Sequence, residues 1–357
     1  MELIFHPGNS LICQAPSIQR KAFEDRFSLT YGVDSTLVAV VIDGVGEQYV
    51  QHAARETYSF GGAQRVLGDI PGLVLMKMFE EVAKDTPSRL SSLEGIQGVI
   101  YEANETYTCW LKQHGLDDRL KQNRASVGGC TFAVVVVTPP TLSSDRQVLL
   151  VSAGDAIGVA RTETSQVIST DNQLLTINSA LKPIQNFLAE TLSKLGAAHA
   201  HQDMQRIVFN AFTHKWQRNR LTNHDTVNVS KKDRAAFIER VQSLLASFDY
   251  LTDNQRHEIV HQLNQCIPGN LPGHGLFDGN PNVVQHLSMR QIPFAVLNQG
   301  TVIIATDGCI DERSLDQYTL CGKLMKTYSE HGIFGLANYN QSISKGPEAT
   351  TVVLRLE

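Results

Sequence analysis

Cysteine is sparse in this sequence: six copies, at 13, 109, 130, 266, 309 and 321, with no CxxC pair among them. A chain of 357 residues with so few thiols is no disulfide scaffold, and a reducing compartment fits it better. Long apolar stretches are missing too. The run at 132–137 (FAVVVV) has six residues, against the roughly twenty that a membrane-spanning helix needs. Positive charge is not in excess. Lys and Arg number 31 against 36 Asp and Glu, a formal −5, so neither nucleic acid nor an anionic membrane is the expected partner. The opening MELIFHPGNSLICQ has no basic stretch followed by an apolar one, which speaks against a secretory leader. Together these absences predict a soluble, cytoplasmic protein; delivery to another compartment or host cell would need a route without a cleaved signal.

What is present is a chain with 42% apolar residues, enough for one large core or two modest ones. Up to about residue 172, strand and helix signals alternate. Residues 37–42 (LVAVVI) form a β-branched run that stops at Asp43-Gly44. Residues 71–84 read as a helix with Pro71 in its first turn. A second helix begins near Ser92, where Ile96, Ile100, Ala103, Tyr107 and Trp110 draw one apolar stripe. Strands are expected at 131–138, 148–152 and 157–161, with Asp145-Arg146 and Gly154-Asp155 as hairpin turns. From 175 to 266 the pattern turns helical. Ser230 to Asp233 and Thr252 to Gln255 resemble capping boxes, and Phe237, Val241, Leu244 and Phe248 share one face of the first helix they open. Strand signals return at 294–297, 302–306 and 351–356, with a helix between the last two. Neither strand set completes a sheet alone, so we read residues 1–357 as one α+β domain carrying a helical insertion at 175–266.

The carboxylates carry the chemistry. Asp43 and Asp307 each end a β-branched run and each precede a glycine, while Glu24-Asp25 closes another segment and Asp155 sits in a turn. A carboxylate at a strand end is rigidly placed, and the following glycine lets a backbone carbonyl approach a cation. Oxygen-rich clusters of this kind suit Mg²⁺ or Mn²⁺ rather than zinc. Any single Asp-Gly is a common turn dipeptide; the set of them, with Glu24-Asp25 and Asp155, is what points to a cation site.

That set resembles the PPM family, the protein phosphatase type 2C enzymes. Arg20-Lys-Ala-Phe-Glu24-Asp25 is similar to the family's R-x-x-x-E-D, and Asp43-Gly44-Val-Gly46 to its D-G-x-x-G. Gly128-Gly129-Cys-Thr131, Gly154-Asp155 and Thr170-Asp171-Asn172 follow in the family's order. Ala305-Thr-Asp307-Gly308-Cys-Ile-Asp311 is similar to A-[TS]-D-G-[LI]-x-D, and Glu348-Ala-Thr-Thr351-Val352 to the terminal D-[ND]-x-[TS]-V. The sequence departs from the pattern at Ile157, where the family has a hairpin arginine, and at Glu348, where it has Asp.

The resemblance implies two packed antiparallel sheets flanked by helices, a four-layer α-β-β-α sandwich. It implies two Mn²⁺ or Mg²⁺ ions, with a third, weaker position. Asp43 would bridge the two ions; Glu24 and the carbonyl of Gly44 would serve one of them, and Asp307 and Glu348 the other. Asp155 and Asp311 would match the third position. Arg20 would grip the substrate phosphate as a forked cation, and Asp25 would orient the attacking water. The implied activity is hydrolysis of phosphoserine and phosphothreonine on a phosphorylated protein substrate, with the 175–266 insertion binding substrate or a partner protein. The alternative is a catalytically weak or inactive relative that acts as a phosphoprotein-binding or regulatory module. A second motif competes: His257-Glu258-Ile-Val-His261 fits the zinc-protease pattern H-E-x-x-H on a predicted helix, but no third ligand follows at the expected spacing. Cys130 lacks the C-x₅-R loop of a thiol phosphatase and reads as a small core residue.

Overall fold

The structure is a computed structural model that describes residues 2–6, 10–15, 25–44, 56–122, 127–140, 145–197, 200, 223–297, 300–306, 317–342 and 349–356. The chain divides into two compact units: Met1–Leu175 with Gly275–Glu357, and Thr176–His274.

Side chains alternate between the faces of a strand, so a strand that is apolar at every position must be covered on both. This decides the first unit. One sheet runs in the order β13 (Ser288–Pro293), β8 (Gln147–Ala153), β7 (Cys130–Val137), β4 (Leu37–Gly44), β3 (Arg26–Tyr31), all antiparallel. The other runs β1 (Glu2–His6), β2 (Ser10–Ala15), β15 (Ala349–Arg355), β14 (Thr301–Ala305), β9 (Ile157–Arg161), β10 (Val167–Ser169). Ala39, Val41, Ala133 and Val135 from the first sheet meet Val302, Ile304, Val352 and Leu354 from the second. The alternate residues turn outward. Val38, Val40, Ile42, Phe132 and Val134 pack under α1 (Ile70–Asp85) and α2 (Leu93–Gln113). Ile303, Ala305 and Val353 pack under Leu320, Leu324 and Tyr328 of α7 (Gln317–Ser342). The result is a four-layer α-β-β-α sandwich. A small hairpin, β5 (Thr57–Phe60) with β6 (Ala63–Val66), and a short α3 (Asp117–Gln122) lie outside the sheets.

The register sends particular strand ends to one rim. Arg26 opposes Ile42, Ile42 opposes Phe132, and Phe132 opposes Ala153. In the other sheet Ile157 opposes Ala305 and Ala305 opposes Thr351. The start of β3, the end of β4, the start of β7, the end of β8, the start of β9, the end of β14 and the start of β15 therefore share a rim.

The second unit contains most of α4 (Gln173–Lys194), the ribbon β11 (Thr226–Asn228) with β12 (Asn270–Pro272), α5 (Lys231–Leu245) and α6 (Asp253–Cys266). Both capping boxes form: Ser230 and Thr252 each accept from the N3 backbone while Asp233 and Gln255 reach back to the cap. No helix among the described residues is long and apolar enough to cross a membrane.

Three local readings change. Residues 294–297 form a 3₁₀ turn, and the strand precedes them as β13. Pro293 ends that strand because it has no amide to give the ladder. As an edge strand with only Ser288 and Ile292 buried, SMRQIP has no apolar run to betray it. The Gly154-Asp155 turn joins no hairpin; β8 and β9 belong to different sheets, so the turn carries the chain across the sandwich. On α5, Leu245 rather than Leu244 completes the buried face with Phe237 and Val241.

Gly154 makes the crossing possible. Its φ is +78°, and a Cβ there would lie 2.3 Å from Thr131 Cγ2. Gly154→Ala should lower the unfolding free energy by about 2–4 kcal/mol, combining left-handed strain with overpacking. Urea denaturation checks this; a wild-type midpoint would mean that the turn relaxes freely.

Candidate functional site

Asp25 enters β3 at the shared rim and is fully buried, with 0% exposure. Its Oδ2 accepts a hydrogen bond of 2.8 Å from Thr306 Oγ1 at the end of β14. The same Thr306 hydroxyl accepts from the Thr350 amide (2.9 Å), and the Thr306 amide donates to the Thr350 carbonyl (3.0 Å). One hydroxyl thus ties the first sheet's opening carboxylate to two strands of the second. Next door, Arg26 donates to the Asp25 carbonyl (2.8 Å) and to Asp69 Oδ2 (2.9 Å). Burial pushes the Asp69 carboxyl above its usual range, and Arg26 opposes that push.

Asp43 and Gly44 close β4 on the same rim, paired with Thr131 and Cys130 respectively. Asp43 is half-buried and Gly44 buried. Thr131, opposite Asp43, has a buried hydroxyl with no hydrogen-bond partner among the described residues. Cys130 exchanges two backbone hydrogen bonds of 3.0 Å with Phe277, which brings Asp278 to the start of β7. Asp278 is 1% exposed, and its Oδ1 accepts from the Asn280 amide at 2.9 Å. Burial, then the charges of Asp43 and Asp278, hold the Cys130 thiol well above the usual range. A thiol kept protonated in this way is no nucleophile, as the sequence suggests. Burial, with Asp278 next, raises Tyr107 likewise, and its hydroxyl donates to the Val127 carbonyl ahead of Gly128.

Asp155 follows Gly154 in the crossing turn. That turn packs on Thr131, and Thr131 stands opposite Asp43, so Asp155 belongs to the same rim. Two side chains hold the turn. Asn172 Nδ2 donates to the Asp155 carbonyl (3.1 Å) while its Oδ1 accepts from the Leu175 amide (3.3 Å). Gln173 Oε1 accepts from both the Gly154 amide (3.1 Å) and the Gly275 amide (2.6 Å), and its Nε2 donates to the His286 carbonyl. Asp171 is pinned by Ser288 (2.8 Å) and Arg290 (3.1 Å).

Of the residues singled out in the sequence, Asp25, Asp43, Gly44 and Asp155 come together on this rim. Arg20, Glu24, Asp307, Asp311 and Glu348 lie outside the described residues. Among the described residues no group of three or more His, Cys, Asp or Glu side chains is arranged to hold a metal. The donors that are described fit a hard divalent cation: carboxylate, backbone carbonyl and hydroxyl oxygens, with the lone thiol protonated. Asp278 and Gln173 were not singled out. Asp278-Gly279 is a third Asp-Gly dipeptide, which is a legible signal; Gln173 is one polar residue at a helix start and carries none. The competing motif fares differently. His257, Glu258 and His261 are all exposed on α6, Glu258 is hydrogen-bonded to Gln262, and Lys231 and Arg234 line the same groove as the two histidines. Two fixed cations beside two histidines disfavour a zinc ion there.

No protein-family model and no curated protein matches this sequence. Solved structures do. A bacterial serine phosphatase and a point mutant of it each align over 98% of this chain and 98% of their own, with TM-score 0.50 and 11% identity. A serine/threonine phosphatase from Staphylococcus aureus aligns over 100% of this chain and 98% of its own, with TM-score 0.48 and 12% identity. The fold is that of a bacterial serine phosphatase. At this identity the likeness speaks to the fold; the site must be argued from its own residues.

Thr306→Val removes the donor to Asp25 and the acceptor for the Thr350 amide while keeping the side chain's shape. Losing both buried hydrogen bonds should destabilise the protein by about 1–3 kcal/mol. Chemical denaturation measures it, with an unchanged midpoint counting against the link between the sheets.

Proposed function

We propose that this chain is a metal-dependent serine/threonine protein phosphatase of the PPM type, cleaving phosphate from phosphorylated protein substrates. The observation that carries the reading is the gathering of Asp25, Asp43, Gly44 and Asp155 on one rim of an α-β-β-α sandwich. Composition does not require this. Three separate motifs, Asp25, Asp43-Gly44 and Asp155, could have fallen anywhere on two sheets.

Phosphate monoesters hydrolyse extremely slowly in water, so the site must supply a very large reduction of the barrier. Asp43 and the Gly44 carbonyl, joined by Glu24, Asp307 and Glu348, would hold two Mn²⁺ or Mg²⁺ ions, with Asp155 and Asp311 at a weaker third position. The chemistry such ions supply when bound is hydroxide at neutral pH and neutralisation of phosphoryl charge. The remaining work falls to the protein. Asp25, held by Thr306, would orient the attacking water. Arg20 would grip the phosphate oxygens through its forked guanidinium. Cys130 takes no part, because its thiol stays protonated.

Hydrolysis of a small aryl phosphate tests this. Turnover should require Mn²⁺ or Mg²⁺ and disappear with a chelator, and Asp43→Asn should lower kcat by about 100-fold or more, since several kcal/mol of charge stabilisation depends on it. Turnover that survives exhaustive chelation contradicts the mechanism. Arg20→Ala should raise KM with little change in metal affinity; the reverse pattern would reassign Arg20 to the metal site.

A further inference from the structure

The second unit differs in charge from the rest of the chain. Residues 176–274 hold eleven Lys and Arg against eight Asp and Glu, a formal +3, which leaves −8 for the remainder of a chain whose total is −5. Seven of the twelve histidines fall in this segment as well. Part of that positive charge converges on a groove of about 430 Å³ between α5 and α6. Lys231 and Arg234 approach from α5, His257 and His261 from α6, and Ala235, Ile238 and Val260 give an apolar floor. Among the described residues no acidic side chain lines it. Asp233, the nearest acid in sequence, is 4% exposed and turned inward to cap Ser230, while Glu258 is engaged by Gln262.

Helix stability does not explain these cations. Lys231, Lys232 and Arg234 occupy the first turn of α5, where the helix dipole is positive and cations are disfavoured. Local conflicts of this kind mark functional positions. Arg234 donates to the carbonyls of Asn264 (3.3 Å) and Pro268 (3.2 Å), which position its guanidinium without neutralising it.

We propose that the α5–α6 groove docks an acidic, phosphate-bearing peptide segment, its carboxylates and phosphate meeting Lys231, Arg234, His257 and His261 while an apolar residue rests on Ala235, Ile238 and Val260. The identity of the occupant rests on the phosphatase reading; the charge and shape of the groove do not. The lining favours peptide over nucleic acid, because single strands are held by stacking on aromatic rings and, among the described residues, no Phe, Tyr or Trp lines the groove.

The test uses the full chain in chelator, so that no hydrolysis intrudes. Fluorescence anisotropy follows a fluorescein-labelled peptide carrying one phosphoserine among acidic residues and a leucine. Binding should saturate, weaken as salt rises, and fall about tenfold in the double variant Lys231→Glu with His261→Glu. Glutamate at 231 suits a helix N-terminus, so the fold should survive, and an unchanged melting temperature verifies it. If that variant nevertheless fails to fold, Lys231→Gln with His257→Gln should show a smaller loss in the same direction. Equal affinity in folded variants, or equal binding of a peptide with lysines in place of the acids, overturns the proposal. So does duplex DNA or an anionic vesicle that binds more tightly than the peptide and loses binding in the variants. Failure here leaves aryl phosphate turnover untouched, whereas failure of the phosphatase reading removes that turnover and leaves the anisotropy signal intact.

Discussion

The central strands of both sheets are covered on both faces, and that constraint governs where charge can go. Within β4, β7 and β14 every other side chain enters the sheet–sheet core and the alternate ones pack under helices. An ionised carboxylate anywhere along those strands would be buried without compensation, at a cost of several kcal/mol. The strand ends escape this restriction, since they combine a rigid backbone with access to water or to hydrogen-bond donors. Asp43 sits where β4 ends, Asp155 where the chain crosses between sheets, and Asp25 where β3 begins, matched by the Thr306 hydroxyl. The apolar sandwich and the acidic rim are two consequences of one pattern.

Much of this was legible in the sequence because the signals are local. Residues 37–42 and 132–137 are apolar without interruption, and both prove to be strands buried on two faces. The stripe from Ile96 to Trp110 is the buried face of α2, and both capping boxes form as read. The strand β13 was misplaced because an edge strand needs only one apolar face, so its polar alternation looks like a loop while the apolar 294–297 beside it looks like a strand. The crossing at Gly154 was read as a hairpin because a turn dipeptide states that the chain turns, not which sheet receives it.

Site residues follow the same division. Asp25, Asp43 and Asp155 were found through short motifs, but their meeting depends on strand register, which no motif encodes. Asp278 reaches the start of β7 through the Phe277–Cys130 bridge, and Gln173 joins Gly154 to Gly275 across about a hundred residues. The basic second unit adds another level: its first-turn lysines work against helix stability, and their placement becomes intelligible only with the α5–α6 groove in view.

The proposal at the centre of this reading is that the acidic rim would hold paired divalent cations, with Asp43 among their ligands. Electron paramagnetic resonance of the Mn²⁺-loaded protein tests it without recourse to catalysis. The account predicts the spectrum of a spin-coupled manganese pair in the wild type and its collapse to that of isolated ions in a folded Asp43→Asn variant. A wild-type spectrum of isolated ions only, or a coupled pair that persists without the Asp43 carboxylate, would contradict it.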